Sequence, residues 1–269
     1  STGFVRNVCR KASKLDERWR IEFERSALNL EQYRLCRQAF MGGITICSYK
    51  HTGELITGVD LGHDDFTSSY PARQMCDYMP VGQPMDYGDI EDREELEHLL
   101  SEYCCVFFLT LDDVHIKEGV TAPYIPRSKC IHIENELKIN GKVVYAKTLT
   151  IAVTEIDYKW IKRQYDASHT RVEKMLCFTR GEMPQWLKKE IMYYFKNKCE
   201  LKHSDPVLYA KSKNILNGIY GMTATSIIRE TFKMDSEGII ARYIYQDADA
   251  QDEKALKKYY KSYNSFLEY

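Results

Sequence analysis

Asp65 closes an apolar stretch and is followed by Phe66-Thr67-Ser68-Ser69-Tyr70-Pro71. A carboxylate in that setting is costly to bury unless it is paired or bound to a metal. Mg²⁺ takes one or two carboxylates together with water and phosphate oxygens. Where the chain then turns sharply into a helix, backbone N–H groups and serine hydroxyls can face a phosphate. The plainer reading is an Asp N-cap followed by two turn serines. A second group is spaced four, four and three residues apart: Tyr209, Lys213, Asn217 and Tyr220. On a helix these share one face. Lysine neutralises phosphate and tyrosine stacks on a base or sugar. A solvated helix face fits the same spacing. Third, Phe40-Met41-Gly42-Gly43 carries paired glycines. These allow positive φ or the close approach of another backbone, or they mark an ordinary turn.

The elements that position these groups follow from periodicity and caps. Residues 1–40 read as helical and basic, and the glycine pair ends that segment. Ile44–Tyr49 is expected to be a strand, and a second strand is expected from about Ile56 to Phe66, with a short helix after it. Glu91–Glu102 is predicted as a helix and Cys104–Leu111 as a buried strand. Asn140-Gly141, between Leu137-Lys138-Ile139 and Lys142–Ala146, is a two-residue hairpin signal because a type I′ turn needs positive φ twice. Thr154-Glu155-Ile156-Asp157 resembles a capping box opening a helix through about Tyr165. Further helices are predicted from near Pro184 to about Lys198, and from Asp205-Pro206 to near Gly221. In the last of these, Leu208, Ile215, Ile219 and Met222 lie opposite the Lys213 face and are expected to pack inward. A hairpin over Thr231–Tyr245, turning at Asp235–Gly238, and an amphipathic helix over Asp252–Leu267 complete the chain. Strands and helices mix without a βαβ rhythm, so the fold class is α+β.

Composition narrows the function. The 269 residues are 44% hydrophobic and 29% charged, which excludes wholesale disorder or a collagen-like repeat. No apolar run approaches the roughly 18–20 residues that span a bilayer, so no membrane partner is expected. The chain opens Ser1-Thr2-Gly3-Phe4, without a signal peptide, and reads as an internal piece. The net charge of -1 hides a segregation. Residues 1–50 hold 10 basic and 5 acidic side chains, residues 51–118 hold 3 and 16, and residues 119–269 hold 25 and 18. An acidic block between basic ends suits a metal-centred site beside a polyanion, or simply uneven solvated faces. Nine cysteines, without a C-x-x-C pair, point to a reducing compartment and no structural disulfides.

Taken in order, the three groups resemble a known family. D-F-T-S-S-Y-P at Asp65–Pro71 is similar to motif A of family B DNA polymerases, D-x-x-S-L-Y-P. K-N-I-L-N-G-I-Y-G at Lys213–Gly221 is similar to their motif B, K-x-x-x-N-S-x-Y-G. Phe40-Met41-Gly42-Gly43 stands where the family has Y-x-G-G. The long stretch between the first two motifs resembles the insertion of protein-primed phage polymerases. The implied organisation is an N-terminal helix and first part of a palm over 1–79, and a β-rich insertion over 80–180. Helical fingers over 181–222 follow, then a hairpin and helix leading back to the palm over 223–269.

The resemblance also implies roles. Asp65 becomes a catalytic, metal-binding carboxylate and the Phe66 carbonyl a further ligand, for Mg²⁺ or Mn²⁺. Thr67, Ser68 and Ser69 approach a dNTP triphosphate, and Tyr70 lies under the sugar and excludes a ribose 2′-OH. Lys213, with Lys198 and Lys202, contacts the triphosphate. Asn217 and Tyr220 line the nascent base-pair pocket. Phe40, Gly42, Gly43 and Gly221 contact DNA. The implied reaction is attack of a primer 3′-OH on the dNTP α-phosphate by a two-metal mechanism, on a DNA primer-template or with a terminal-protein primer, in the cytoplasm of a bacterial host.

The sequence also departs from the family pattern. Ser69, Gly218 and Phe40 replace the usual Leu, Ser and Tyr. Motif C, Y-x-D-T-D-S, which supplies the second carboxylate, is missing. Tyr245-Gln246-Asp247-Ala248-Asp249 imitates its spacing but lies only 30 positions after Asn217, too near for the intervening palm helix. The expectation is a fragment with negligible polymerase activity alone. The alternative is a non-catalytic nucleic-acid-binding or assembly module of polymerase-like shape.

Overall fold

The computed structural model describes residues 28–45, 51, 53–58, 60, 62, 64–223, 231–234 and 240–243. These residues fall into two compact units. One is built from the described residues of Ser26–Asp65 together with Met79–Gly181. The other is built from Phe66–Tyr78 and the described residues from Glu182 onward.

The first unit is a sheet with helices on both faces. Its strands are β1 (Met79–Ile90), β2 (Cys104–Ile116), β3 (Cys130–Glu134), β4 (Leu137–Ile139), β5 (Lys142–Thr154), β6 (Tyr165–Asp166) and β7 (His169–Gly181). The order is β1-β7-β2-β5-β3, with β4 on β5 and β6 on β2, and every pairing is antiparallel. Alternation along β2 divides its side chains between the two faces. Cys105, Phe107, Leu109 and Leu111 point to one face, where they meet Leu149, Ile151 and Val153 of β5 and Val172, Met175 and Cys177 of β7. Full burial of side chains such as Phe107 and Leu149 stabilises by about 1.5–3 kcal/mol each. Helix α3 (Arg93–Glu102) adds Leu96, Leu99 and Leu100 to that core, and α4 (Glu155–Gln164) adds Ile161. Helix α1 (Leu30–Ala39) covers the other face, packing Leu35 and Ala39 on Cys104, Ala152, Leu176 and Phe178.

Local signals account for these elements. Asn29 and Gln32 form a reciprocal capping box at the start of α1. Thr154 and Asp157 form the box expected for α4. Asn140 at φ 48° and Gly141 at φ 72° turn β4 into β5, with Ile139 opposite Lys142. Strand β1 was not anticipated. It carries Pro80, Pro84, Gly82 and Gly88, and its register with β7 shifts three times. Proline and bulges are tolerated there because β1 is an edge strand.

The second unit holds α2 (Ser69–Cys76), α5 (Gln185–Glu200), α6 (Pro206–Thr223) and the hairpin β8 (Thr231–Met234) to β9 (Ile240–Tyr243). The Asp205 carboxylate caps α6, accepting from the N–H groups of Val207 and Leu208. Helices α2, α5 and α6 pack on one another, with Ile191, Ile215, Leu216 and Ile219 buried.

The α+β class is as expected. Two local expectations are corrected. Among the described residues of 56–66 there is no strand, and Ile56 is 50% and Phe66 86% exposed, so apolar composition there does not signal a paired strand. Leu208 is 44% exposed, because packing of α6 begins a turn later, at buried Ser212. Most of Ile44–Tyr49, the Asp235–Gly238 turn, the Tyr245–Asp249 segment and the Asp252–Leu267 helix lie outside the described residues.

Candidate nucleotide-binding site

Phe66–Pro71 and the Tyr209–Tyr220 stripe, two of the stretches singled out by residue type, meet within the helical unit. Ser68 takes the left-handed conformation, φ 55° and ψ 45°, and immediately precedes α2. For a non-glycine residue that conformation costs roughly 1–2 kcal/mol. No side chain caps this helix start. Among the described residues the first-turn N–H groups of Ser69 and Tyr70 therefore have no side-chain acceptor, and Pro71 has no N–H to offer. Lys198, near the end of α5, donates from Nζ to the Ser68 Oγ at 2.8 Å. A helix start and an ammonium group thus converge on the Thr67–Tyr70 turn, a pairing suited to an anion.

Tyr220 of α6 stacks on Tyr70, with ring centroids 4.1 Å apart and planes 18° from parallel. Partial burial, then the Tyr70 phenol beside it, pushes the Tyr220 hydroxyl above the usual tyrosine range. Lys213 and Asn217 precede Tyr220 on the same face of α6 by seven and three residues, and both are exposed. The stripe that meets α2 through Tyr220 therefore also carries an exposed cation and an exposed amide. Lys202 is exposed in the turn after α5, and like Lys213 it forms no ion pair among the described residues. Tyr70 is 50% exposed and Phe66 86%, so the rings keep open surface for a ligand.

Asp65, Phe66 and Thr67 are exposed in the loop leading to α2. Among the described residues no group of three His, Cys, Asp or Glu side chains is placed to hold a metal ion.

Phe40, Gly42 and Gly43 belong to the sheet unit. Neither glycine has positive φ, so conformational need does not explain the pair. A Cβ built at Gly42 meets nothing within 4 Å, and the same holds at Gly221. Packing among the described residues does not demand glycine at either place. Sequence reasoning did not foresee the strained Ser68, since no glycine or asparagine marks that turn.

The family model described as DNA polymerase type B, organellar and viral, matches residues 4–268. The chain belongs to that family. Its fold is similar to that of phi29 DNA polymerase. Against the polymerase complexed with primer-template DNA, in a post-translocation binary complex, the TM-score is 0.58 at 18% identity, over 82% of this chain and 36% of that one. Against the ternary complex with primer-template DNA and incoming nucleotide substrates it is 0.54 at 19% identity, over 82% and 37%. This type B polymerase chain thus spans little more than a third of the length of those chains. No curated protein matches it. No helix among the described residues is long and apolar enough to cross a membrane.

Proposed function

We propose that this chain is the nucleotide-binding part of a DNA-directed DNA polymerase that transfers nucleotidyl groups from dNTPs to a primer 3′-OH on a DNA template. The observation that carries this reading is the meeting of the two motif segments, Tyr220 on Tyr70, beside the Lys198 ammonium on Ser68. Family membership supports it.

In this reading the Ser69 and Tyr70 N–H groups and the Lys198, Lys202 and Lys213 ammoniums hold the triphosphate. Five or so donors neutralise charge that grows at the phosphates as the bond to the leaving pyrophosphate breaks. The Tyr70 ring, fixed by Tyr220, lies under the sugar, where a 2′-OH would collide with it. Asn217 and Tyr220 border the base pair, and Gly221 lets DNA pass close to α6. Phe40, Gly42 and Gly43 contact the template strand. A divalent ion, Mg²⁺ or Mn²⁺, supplies Lewis-acid activation of the primer hydroxyl when bound. Asp65 and the Phe66 carbonyl provide part of its site and need a further carboxylate. The chain alone is accordingly expected to bind dNTP without extending a primer. A terminal protein could serve as primer in place of DNA, inside a bacterial host.

The test is equilibrium binding of labelled dNTP to the chain in Mg²⁺. Binding that Lys213→Ala weakens by about tenfold or more supports the reading, the loss of one charge-assisted contact being worth that much. Salt-sensitive DNA binding with no dNTP affinity favours a non-catalytic nucleic-acid-binding module instead.

A further inference from the structure

Cys105 of β2 and Cys177 of β7 stand directly opposite each other in the sheet, and both are fully buried. Opposed residues of an antiparallel pair point to the same face, and here the two sulfurs lie 3.6 Å apart. The Cys105 N–H does not serve the β7 ladder. It turns to the β5 side, where it donates to the Glu155 carboxylate at 2.9 Å. Cys105 and Cys177 are therefore a non-hydrogen-bonded pair, in which Cα atoms approach to about 4.5 Å. That separation is within the span a disulfide bridges. Beside the pair the β2–β7 register shifts between Val106 and Phe108. The irregularity supplies slack for the sulfurs to close to about 2.05 Å. Cys104, the neighbour in sequence, lies on the opposite face of the sheet with Leu35 and Ala39.

The surroundings of the pair are apolar. Leu96, Leu99 and Leu100 of α3 share its core cluster, and the Cys105 S–H is 3.3 Å from the Leu99 carbonyl. The hydrogen bond between the sulfurs, together with burial, holds the Cys105 proton above the ordinary thiol range. The same hydrogen bond draws the Cys177 thiol below it. Cys177 is thereby the better nucleophile of the two and Cys105 the resolving partner. Apolar walls exclude charged reagents and admit a small neutral oxidant when the end of α3 opens.

We propose that Cys105 and Cys177 are a redox pair, which hydrogen peroxide converts to a cross-strand disulfide and a thiol reductant restores. The Cys177 sulfur attacks one peroxide oxygen and the O–O bond breaks. The hydroxide released takes up the thiol proton and leaves as water, and Cys177 becomes a sulfenic acid. The Cys105 sulfur then attacks that sulfur, the S–S bond forms and a second water departs. Two thiols are oxidised and one peroxide is reduced. The bond joins residues 72 apart in sequence. It staples β2 to β7 and restricts the unfolded chain, which favours the folded sheet. The proposal does not depend on the nucleotide-binding reading.

The test is a hydrogen peroxide titration of the full chain, followed by N-ethylmaleimide blocking, peptide mapping by mass spectrometry and thermal denaturation. The expected product is a cross-linked peptide joining Cys105 to Cys177, lighter by two hydrogens and reversed by dithiothreitol. It should persist in Cys104→Ala and vanish in Cys105→Ala and in Cys177→Ala. Oxidation should raise the thermal midpoint of wild type by about 5 °C or more, and leave Cys177→Ala without that rise. The mapping on wild type needs no variant, so it decides the matter even if a core alanine fails to fold. Oxidation of the exposed Cys76 and Cys199 with Cys105 and Cys177 still as thiols overturns the proposal. So does a cross-link that forms only in urea, one that is lost in Cys104→Ala, a sulfinic acid on Cys177 in place of the disulfide, or a midpoint that does not rise.

Discussion

Tyr70 and Tyr220, 150 residues apart in sequence, stack with their ring centroids 4.1 Å apart. The contact joins the first turn of α2 to the far end of α6, and it orients the ring proposed to lie under the nucleotide sugar. An offset aromatic pair contributes about 0.5–1.5 kcal/mol beyond area burial. A double-mutant cycle with Tyr70→Ala and Tyr220→Ala, read by urea denaturation, should give a coupling energy in that range. Coupling indistinguishable from zero would mean that the rings do not stack in solution. A Tyr70→Val variant should also bind ribonucleotides closer to its affinity for dNTPs than wild type does.

Ser68 combines a left-handed backbone with a hydrogen bond from Lys198. Glycine at this position removes roughly 1–2 kcal/mol of conformational strain and gives up a hydrogen bond worth about 0.5–1.5 kcal/mol. Ser68→Gly should therefore be close to neutral in stability. Ser68→Ala keeps the strain, loses the bond and should cost about 0.5–1.5 kcal/mol. Thermal denaturation of the pair distinguishes them. Equal losses in both variants would show that the left-handed turn is not retained.

Glu155 opens α4 and is buried, and its carboxylate accepts the Cys105 N–H at 2.9 Å. Burial holds its carboxyl above the usual glutamate range despite that bond and the positive charges of Arg180 and Lys159. Between the unfolded and folded values the folded state holds the extra proton. Stability contributed at this site is therefore present at acid pH and falls as pH rises through that window. Glu155→Gln retains an acceptor for Cys105 and should flatten the pH dependence, measured by denaturation from about pH 4 to 7. Glu155→Ala should cost about 1–3 kcal/mol by leaving the Cys105 N–H unpaired. A steeper pH dependence in the glutamine variant would contradict this assignment.

Sequence periodicity made the helices legible, and the reason is local. Asp205, and Thr154 with Asp157, fix their own turns through side-chain bonds within three residues, and Asn140-Gly141 fixes its turn through positive φ at both positions. Strand pairing was less legible because it depends on partners far along the chain. β1 hides behind two prolines that only an edge accepts. β7 is interrupted at Lys174, whose φ of 51° breaks the alternation and whose N–H donates to Asp89 across the bulge. Ile56 to Phe66 suggested a strand, yet apolar residues do not pair without a neighbouring edge, and both of these end residues are exposed. At the candidate site, Ser68 and Tyr220 were visible by type and spacing, and Tyr70 and Lys198 through the family resemblance. Their mutual contacts were not, since nothing in the spacing says that the end of α5 reaches the start of α2.

The central claim is that one dNTP lies against the start of α2 and the Lys213–Tyr220 face of α6. Photoaffinity labelling with an azido-adenine dATP analogue in Mg²⁺, followed by peptide mapping, tests it most directly. The account predicts adducts on peptides that contain Tyr70, Asn217 or Tyr220, suppressed by unmodified dATP and reduced in Lys213→Ala. Specific labelling confined to the sheet residues 79–181, with the α2 and α6 peptides unlabelled, would contradict it.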